Sequence, residues 1–139
     1  VPPEESTADA VLVIGDRAMR IDESRFHAVV DMGEAWNRWT GLPFVFAVWA
    51  ARRDADRTEA LALHERLCAS RDWGVANLDI IAAEAAARTG IPAATCRAYL
   101  GDLDYDLSYR HLAGLTEFFG RLAADGLVPN GSLTFLTAA

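Results

Sequence analysis

Apolar residues follow two rhythms in this chain: short unbroken runs early, then stripes at helical spacing. Residues 10–14 read Ala-Val-Leu-Val-Ile, and Gly15-Asp16 closes that run. Residues 26–30, Phe-His-Ala-Val-Val, lead straight into Asp31. Residues 44–49, Phe-Val-Phe-Ala-Val-Trp, carry no charge. β-branched and aromatic residues in runs of this length predict short strands. The third run fits a strand covered on both faces, as in parallel sheets.

Between the second and third runs lies a helix with both ends written in. Asp31 can accept a hydrogen bond from the free N–H groups of a first turn. Glu34, three residues on, can reach back to it, which approximates a capping box. Trp36 and Trp39 sit three apart and so share a face. Gly41 can take the left-handed conformation that closes a helix, and Pro43 forbids its continuation. The turn Thr40-Gly41-Leu42-Pro43 is therefore expected at a strand end, where α/β proteins place ligand-binding backbone.

The rest of the chain reads as helices. Residues 17–20 start a short one. Asp54 and Asp56 put negative charge where a longer helix should begin, and Ala60, Leu61, His64, Leu67 and Cys68 recur along it. Asn77 is placed to cap the next, whose stripe is Leu78, Ile81, Ala82 and Ala85, and Gly90 ends it. Pro92 suits the first turn of another, running through Leu100. Residues 103–106 are a turn or an extended piece. Ser108 caps a last helix lined by Leu112, Leu115, Phe119 and Leu122, which Gly126 and Pro129 stop. The tail to residue 139 offers a short edge strand. Thr89-Gly-Ile-Pro92 echoes Thr40-Gly-Leu-Pro43, but the flanks differ, so both are read as helix stops and not as a duplication.

Composition narrows the function classes. The chain has 139 residues, 52% of them hydrophobic, and a net charge of −7. That fits one packed domain and argues against disorder. All 13 basic residues are arginines, dispersed and outnumbered by 20 acids. No nucleic-acid surface is expected. Cys68 and Cys96 fall inside helical patterns and read as buried thiols, which suits a reducing compartment. No run approaches the ~20 residues of a membrane span, so no membrane partner is expected. The chain starts Val1-Pro-Pro without Met, and its first run has no partner before it. A longer protein is expected, with this as its C-terminal part.

Few residues announce chemistry. His27, His64 and His111 are scattered and neither cysteine has a ligand beside it, so no metal site is expected. No nucleophile elbow, phosphate loop or dinucleotide fingerprint occurs. Arg52-Arg53 either meets an anion or is a solvated pair. Gly15-Asp16 closes a run, where backbone N–H groups and a carboxylate would face a cleft; Asp16 is equally able to cap the segment behind it. The turn at Thr40-Gly41-Leu42-Pro43 offers a hydroxyl and amides, and is equally a structural turn.

Residues 10–16 (Ala-Val-Leu-Val-Ile-Gly-Asp), 31–36 (Asp-Met-Gly-Glu-Ala-Trp), 40–49 (Thr-Gly-Leu-Pro-Phe-Val-Phe-Ala-Val-Trp) and 103–107 (Leu-Asp-Tyr-Asp-Leu) resemble the chorismate dehydratase family of the futalosine route to menaquinone. The resemblance implies an α/β fold like type II periplasmic binding proteins, about twice this length. The chain would be its C-terminal portion, with short buried strands and several covering helices. Residues 1–43 would be the end of the second lobe and the return crossover, and 44–139 the C-terminal part of the first lobe. The implied reaction is a carbon–oxygen lyase step on a dicarboxylate, removing water from chorismate to give 3-[(1-carboxyvinyl)oxy]benzoate. The family implies no cofactor and a cytoplasmic location, and leaves a homodimer open. Asp16 would be the catalytic candidate, with Gly15 and Thr40, Gly41, Leu42 and Pro43 binding substrate. A sister family, the 1,4-dihydroxy-6-naphthoate synthases, shares the Thr-Gly-Leu-Pro turn. It typically carries His-Glu where this chain has Gly15-Asp16, and it lacks the Phe-Val-Phe-Ala continuation. A solute-binding receptor of the same fold is the alternative from another class.

Overall fold

Asp31 Oδ1 accepts the N–H of Glu34 at 2.7 Å, and helix α1 (Met32–Thr40) follows. That is half of the expected capping box. The Glu34 side chain points onward to Arg38, 3.7 Å away, as an exposed pair one turn along the helix. Gly41 closes α1 at φ 71°, a conformation glycine enters without Cβ strain.

This computed structural model describes residues 2–131, 134 and 135. Four more helices follow: α2 (Arg57–Ala76), α3 (Leu78–Thr89), α4 (Ala93–Asp102) and α5 (Tyr109–Ala124). Short 3₁₀ turns occupy Pro3–Glu5, Gly15–Arg20 and Glu23–Arg25. Asp56 Oδ1 accepts the N–H of Glu59 and starts α2. Asn77 does not cap α3; its Nδ2 donates back to Trp73 O at 2.7 Å and so secures the end of α2. Ser108 opens α5 with help from His111, whose Nδ1 accepts the Ser108 N–H at 3.1 Å. Gly126 at φ 70° and the bond from Leu127 N–H to Leu122 O stop α5 as expected.

The chain divides into two compact units. One takes Val1–Val30 with Asp72–Asp104. Its core is Ala82, Ile91 and Cys96, with Met19, Ala85 and Ala86 packed against them. The stripe expected on α3 supplies Ala82 and Ala85, and α4 lies against it through Cys96. Small side chains let these two helices approach closely; Gly101 of α4 comes within 3.8 Å of Leu78 Cδ1, measured from where a Cβ would stand.

The other unit takes Asp31–Arg71 with Tyr105–Ala139. Its centre is Trp36, 7% exposed. Phe44 and Phe118 stand edge-on to it at centroid distances of 5.9 and 5.7 Å, and to each other at 5.2 Å. Such pairs each add about 0.5–1.5 kcal/mol beyond the area they bury. The inward aromatic of α5 is thus Phe118, with Leu115, while Phe119 is exposed. Arg121 lies over the Trp39 ring at 3.9 Å and is held there by Glu117 at 2.7 Å.

The α/β class, with short buried strands beneath covering helices, is not what the chain adopts. Among the described residues there are helices, turns and irregular segments, and no strand. A strand requires a neighbouring backbone as well as an apolar run, because its N–H and C=O groups must pair across a ladder. Residues 10–14, 27–30 and 44–49 make no backbone hydrogen bond among the described residues. Nor is the third run covered on both faces: Phe46 is 72% exposed and Trp49 84%. Phe44 of that run is drawn inward by the rings of Trp36 and Phe118. The edge strand expected in the tail falls largely outside the described residues.

Helix α5 carries two glycines that separate packing from propensity. A Cβ at Gly114 would collide with the backbone oxygen of Pro43, whereas one at Gly120 would meet nothing within 4 Å. Alanine is favoured over glycine in a helix by about 1 kcal/mol. Gly120→Ala should therefore raise the melting temperature, and Gly114→Ala should lower it, by an amount equivalent to about 1–3 kcal/mol of overpacking. Thermal unfolding of the two variants checks this; a stabilised Gly114→Ala would mean that α5 does not approach the bend as described.

Candidate functional site

The bend at 40–43 is built from its own polar groups. Thr40 Oγ1 donates to Trp36 O at 2.8 Å and accepts the N–H of Leu42 at 3.1 Å. The Gly41 N–H donates to Asn37 O at 2.7 Å. Asn37 Nδ2 donates to Leu42 O at 3.2 Å, and Arg110 Nη2 reaches Gly41 O at the same distance. The hydroxyl and the two amides that sequence offers to a ligand are thus occupied within the bend, and α5 holds its carbonyl side. Sequence reasoning missed Asn37, Arg110 and Gly114 as supports; the contacts of Arg110 and Gly114 are set by how α5 packs and not by local spacing.

The second Thr-Gly turn repeats this construction. Thr89 Oγ1 donates to Ala85 O at 2.7 Å and accepts from Ile91 N at 3.2 Å, and Gly90 closes α3 at φ 73°. Both Thr-Gly-x-Pro segments are helix stops, as their spacing suggests.

Gly15 and Asp16 lie in the other unit, at the start of the 3₁₀ turn Gly15–Arg20. Gly15 has φ 67°, so its break in the chain needs a residue without Cβ. Asp16 is exposed, and its carboxylate makes no capping bond. Other aspartates are engaged: Asp31 and Asp56 cap helices, and Asp79 pairs with Arg97. The hydrogen bonds from Ser24 to Asp22, and from Arg52 to Asp54, hold those two carboxyls below the usual carboxylate range. Asp16 has no such partner among the described residues.

The remaining candidates resolve into structural roles. Arg52 is tied by two bonds of 2.9 and 2.8 Å to Asp54, and Arg53 reaches Thr134. His64 is exposed on α2 with its Nε2 3.5 Å from Cys68 Sγ, so it is not a core residue. His27, His64 and His111 do not come together, and no group of three potential metal ligands occurs among the described residues. Both cysteines are free, Cys96 buried and Cys68 half-buried. Among the described residues no helix is long and apolar enough to cross a membrane. One feature that sequence did not suggest is a cavity of about 310 Å³ lined by Arg17, Arg20, Arg25 and Phe26. The spacing of Arg17 and Arg20 could have flagged it.

The menaquinone biosynthesis family matches this chain over residues 2–124, and the chain belongs to that family. It is also similar to a protein of Thermus thermophilus named chorismate dehydratase, with 33% identity over 129 aligned residues. The alignment takes in 81% of this chain and 47% of the relative, so the chain spans about half the length of the curated protein it matches. No solved structure matches it.

Two substitutions separate the parts of the bend. Gly41→Val forces a β-branched residue to positive φ and should destabilise the protein by about 1–3 kcal/mol. Thr40→Val keeps the shape but strips the hydroxyl from Trp36 O and Leu42 N, and should cost about 1–2 kcal/mol. Chemical denaturation measures both. A Gly41→Val protein as stable as the parent would remove the left-handed closure of α1 from the account.

Proposed function

We propose that this family member takes part in the dehydration of chorismate to 3-[(1-carboxyvinyl)oxy]benzoate. The observation that carries the reading is the similarity to the Thermus protein of that name over 81% of this chain. The residues that bear the resemblance, 10–16, 31–36, 40–49 and 103–107, all lie within the family match.

The reaction breaks a C–H bond at the ether-bearing ring carbon and the C–O bond to the neighbouring hydroxyl. The electron pair from the C–H bond becomes the last double bond of an aromatic ring. Aromatisation favours the products, so the protein's task is to hold a dicarboxylate dry and aligned. Positioning of that kind can lower a barrier by about 7–11 kcal/mol. In this reading Asp16 takes the ring proton and returns it to the departing hydroxide, which leaves as water. The carboxylate is restored and the step balances. An acceptor of this kind needs a carboxyl without a resident partner, and Asp16 makes no capping bond.

Gly15, and separately Thr40, Gly41, Leu42 and Pro43, are the substrate-binding residues of this proposal. Since its hydroxyl and amides are engaged internally, the bend acts as a rigid wall that shapes the site. Hydrogen bonding to the substrate would come from elsewhere. A cytoplasmic location goes with the proposal, and the free thiols of Cys68 and Cys96 suit it.

The test is turnover of chorismate by the protein expressed from its full coding sequence, followed by mass spectrometry of the product. A product lighter than chorismate by one water, with an aromatic ultraviolet spectrum, is expected. Asp16→Asn should lower turnover at least tenfold, about 1.4 kcal/mol of barrier, with the melting temperature nearly kept. Binding of chorismate without its consumption would instead make the protein a receptor. Undiminished turnover in Asp16→Asn would take the proton-transfer role away from that residue.

A further inference from the structure

The cavity in the first unit points to a ligand the sequence reading did not assign. Its volume is about 310 Å³, room for a single-ring molecule, and it gathers three arginines in a chain whose net charge is −7. Three residues complete one turn of a 3₁₀ helix, so Arg17 and Arg20 of Gly15–Arg20 stand on one edge. Both line the cavity. Two guanidinium groups on one edge repel each other, and neither has an ion-pair partner among the described residues.

Two carboxylates, Glu4 and Asp22, share the lining with them. Arg25 pairs with Glu4 at 3.4 Å. Asp22 accepts from the Ser24 hydroxyl at 2.6 Å and from the Ser24 N–H at 3.2 Å. The lining thus sets three arginines against two carboxylates, and the surplus positive charge lies on Arg17 and Arg20. Ile21, Phe26 and two prolines add apolar surface to the lining. The arrangement joins a fork that suits an oxyanion to a wall that suits a hydrocarbon ring.

We propose that this cavity binds a small aromatic carboxylate, with the carboxylate between Arg17 and Arg20 and the ring against Phe26 and Ile21. The proposal stands on the cavity's own geometry and does not require the dehydratase reading or a catalytic role for Asp16, which does not line it.

The probes are benzoate, its neutral counterpart benzamide, and inorganic phosphate, titrated calorimetrically into the protein. Saturable benzoate binding is expected, with benzamide and phosphate each at least tenfold weaker. The double variant Arg17→Gln/Arg20→Gln should weaken benzoate at least tenfold, while Arg66→Gln, on the exposed side of α2, should leave it unchanged. Benzamide binding as tightly as benzoate would overturn the proposal, because the arginines would not be reading charge. Phosphate binding as tightly would overturn the role of the apolar wall. A second measurement needs no variant: benzoate should slow phenylglyoxal modification of Arg17 and Arg20 at least threefold, by peptide mass spectrometry, and leave Arg66 unaffected. Equal rates with and without benzoate would overturn the proposal independently of how the variants fold.

Discussion

A missing methyl group sets the geometry of the second unit. Gly114 lets the backbone of α5 come up against the carbonyl of Pro43, where any side chain would collide. From that approach the other contacts follow. Arg110 reaches Gly41 O four residues before it, and Phe118 enters the ring triangle with Trp36 and Phe44 four residues after it. The i, i+4 spacing puts all three on one face of α5. An α5 held further off would lose the Phe118 ring contacts of 5.7 and 5.2 Å together, since aromatic packing falls away quickly with distance. The closeness has a cost that the structure tolerates: Trp36 Nε1 is buried with no hydrogen-bond partner among the described residues. Such a donor is destabilising by about 1–3 kcal/mol, and three ring neighbours offset it.

The consequence for function is a division of labour. The stretch that carries the family resemblance, 31–49, is first of all a device for closing a helix and turning the chain. Its Thr-Gly pair makes the same three bonds as the pair at 89–90, in a segment with no claim to chemistry. Chemistry falls more naturally on groups that the fold leaves unengaged. Asp16 is one, after a glycine break that only a residue without Cβ makes easily. Arg17 and Arg20, on the same 3₁₀ turn, are others.

Sequence showed well whatever is decided within one or two turns of helix. Asp31 and Gly41 bracket α1, Gly90 ends α3, and the α3 stripe supplies Ala82 to the core. Each needs only neighbours within about five residues. Sequence misled wherever the outcome depends on a distant partner. The runs at 10–14, 26–30 and 44–49 have strand composition, yet no strand pairs with them among the described residues. Phe118 and Phe119 are indistinguishable by type, and only the position of Trp36 decides which turns inward. Glu34 had two helical partners in reach and took Arg38 over the cap. For the site, the arginine cavity depends on a 3₁₀ turn that helical periodicity does not reveal.

The central claim is that the bend at 40–43 is locked by its own hydrogen bonds and by α5. Amide hydrogen exchange, followed residue by residue by NMR, reads this directly. The N–H groups of Gly41 and Leu42 should exchange slowly, within about tenfold of Gly90 and Ile91, whose bonds are alike. Exchange of Gly41 and Leu42 as fast as the unbonded amides of 45–49 would show an open bend, and the account of α1 and α5 would fail with it.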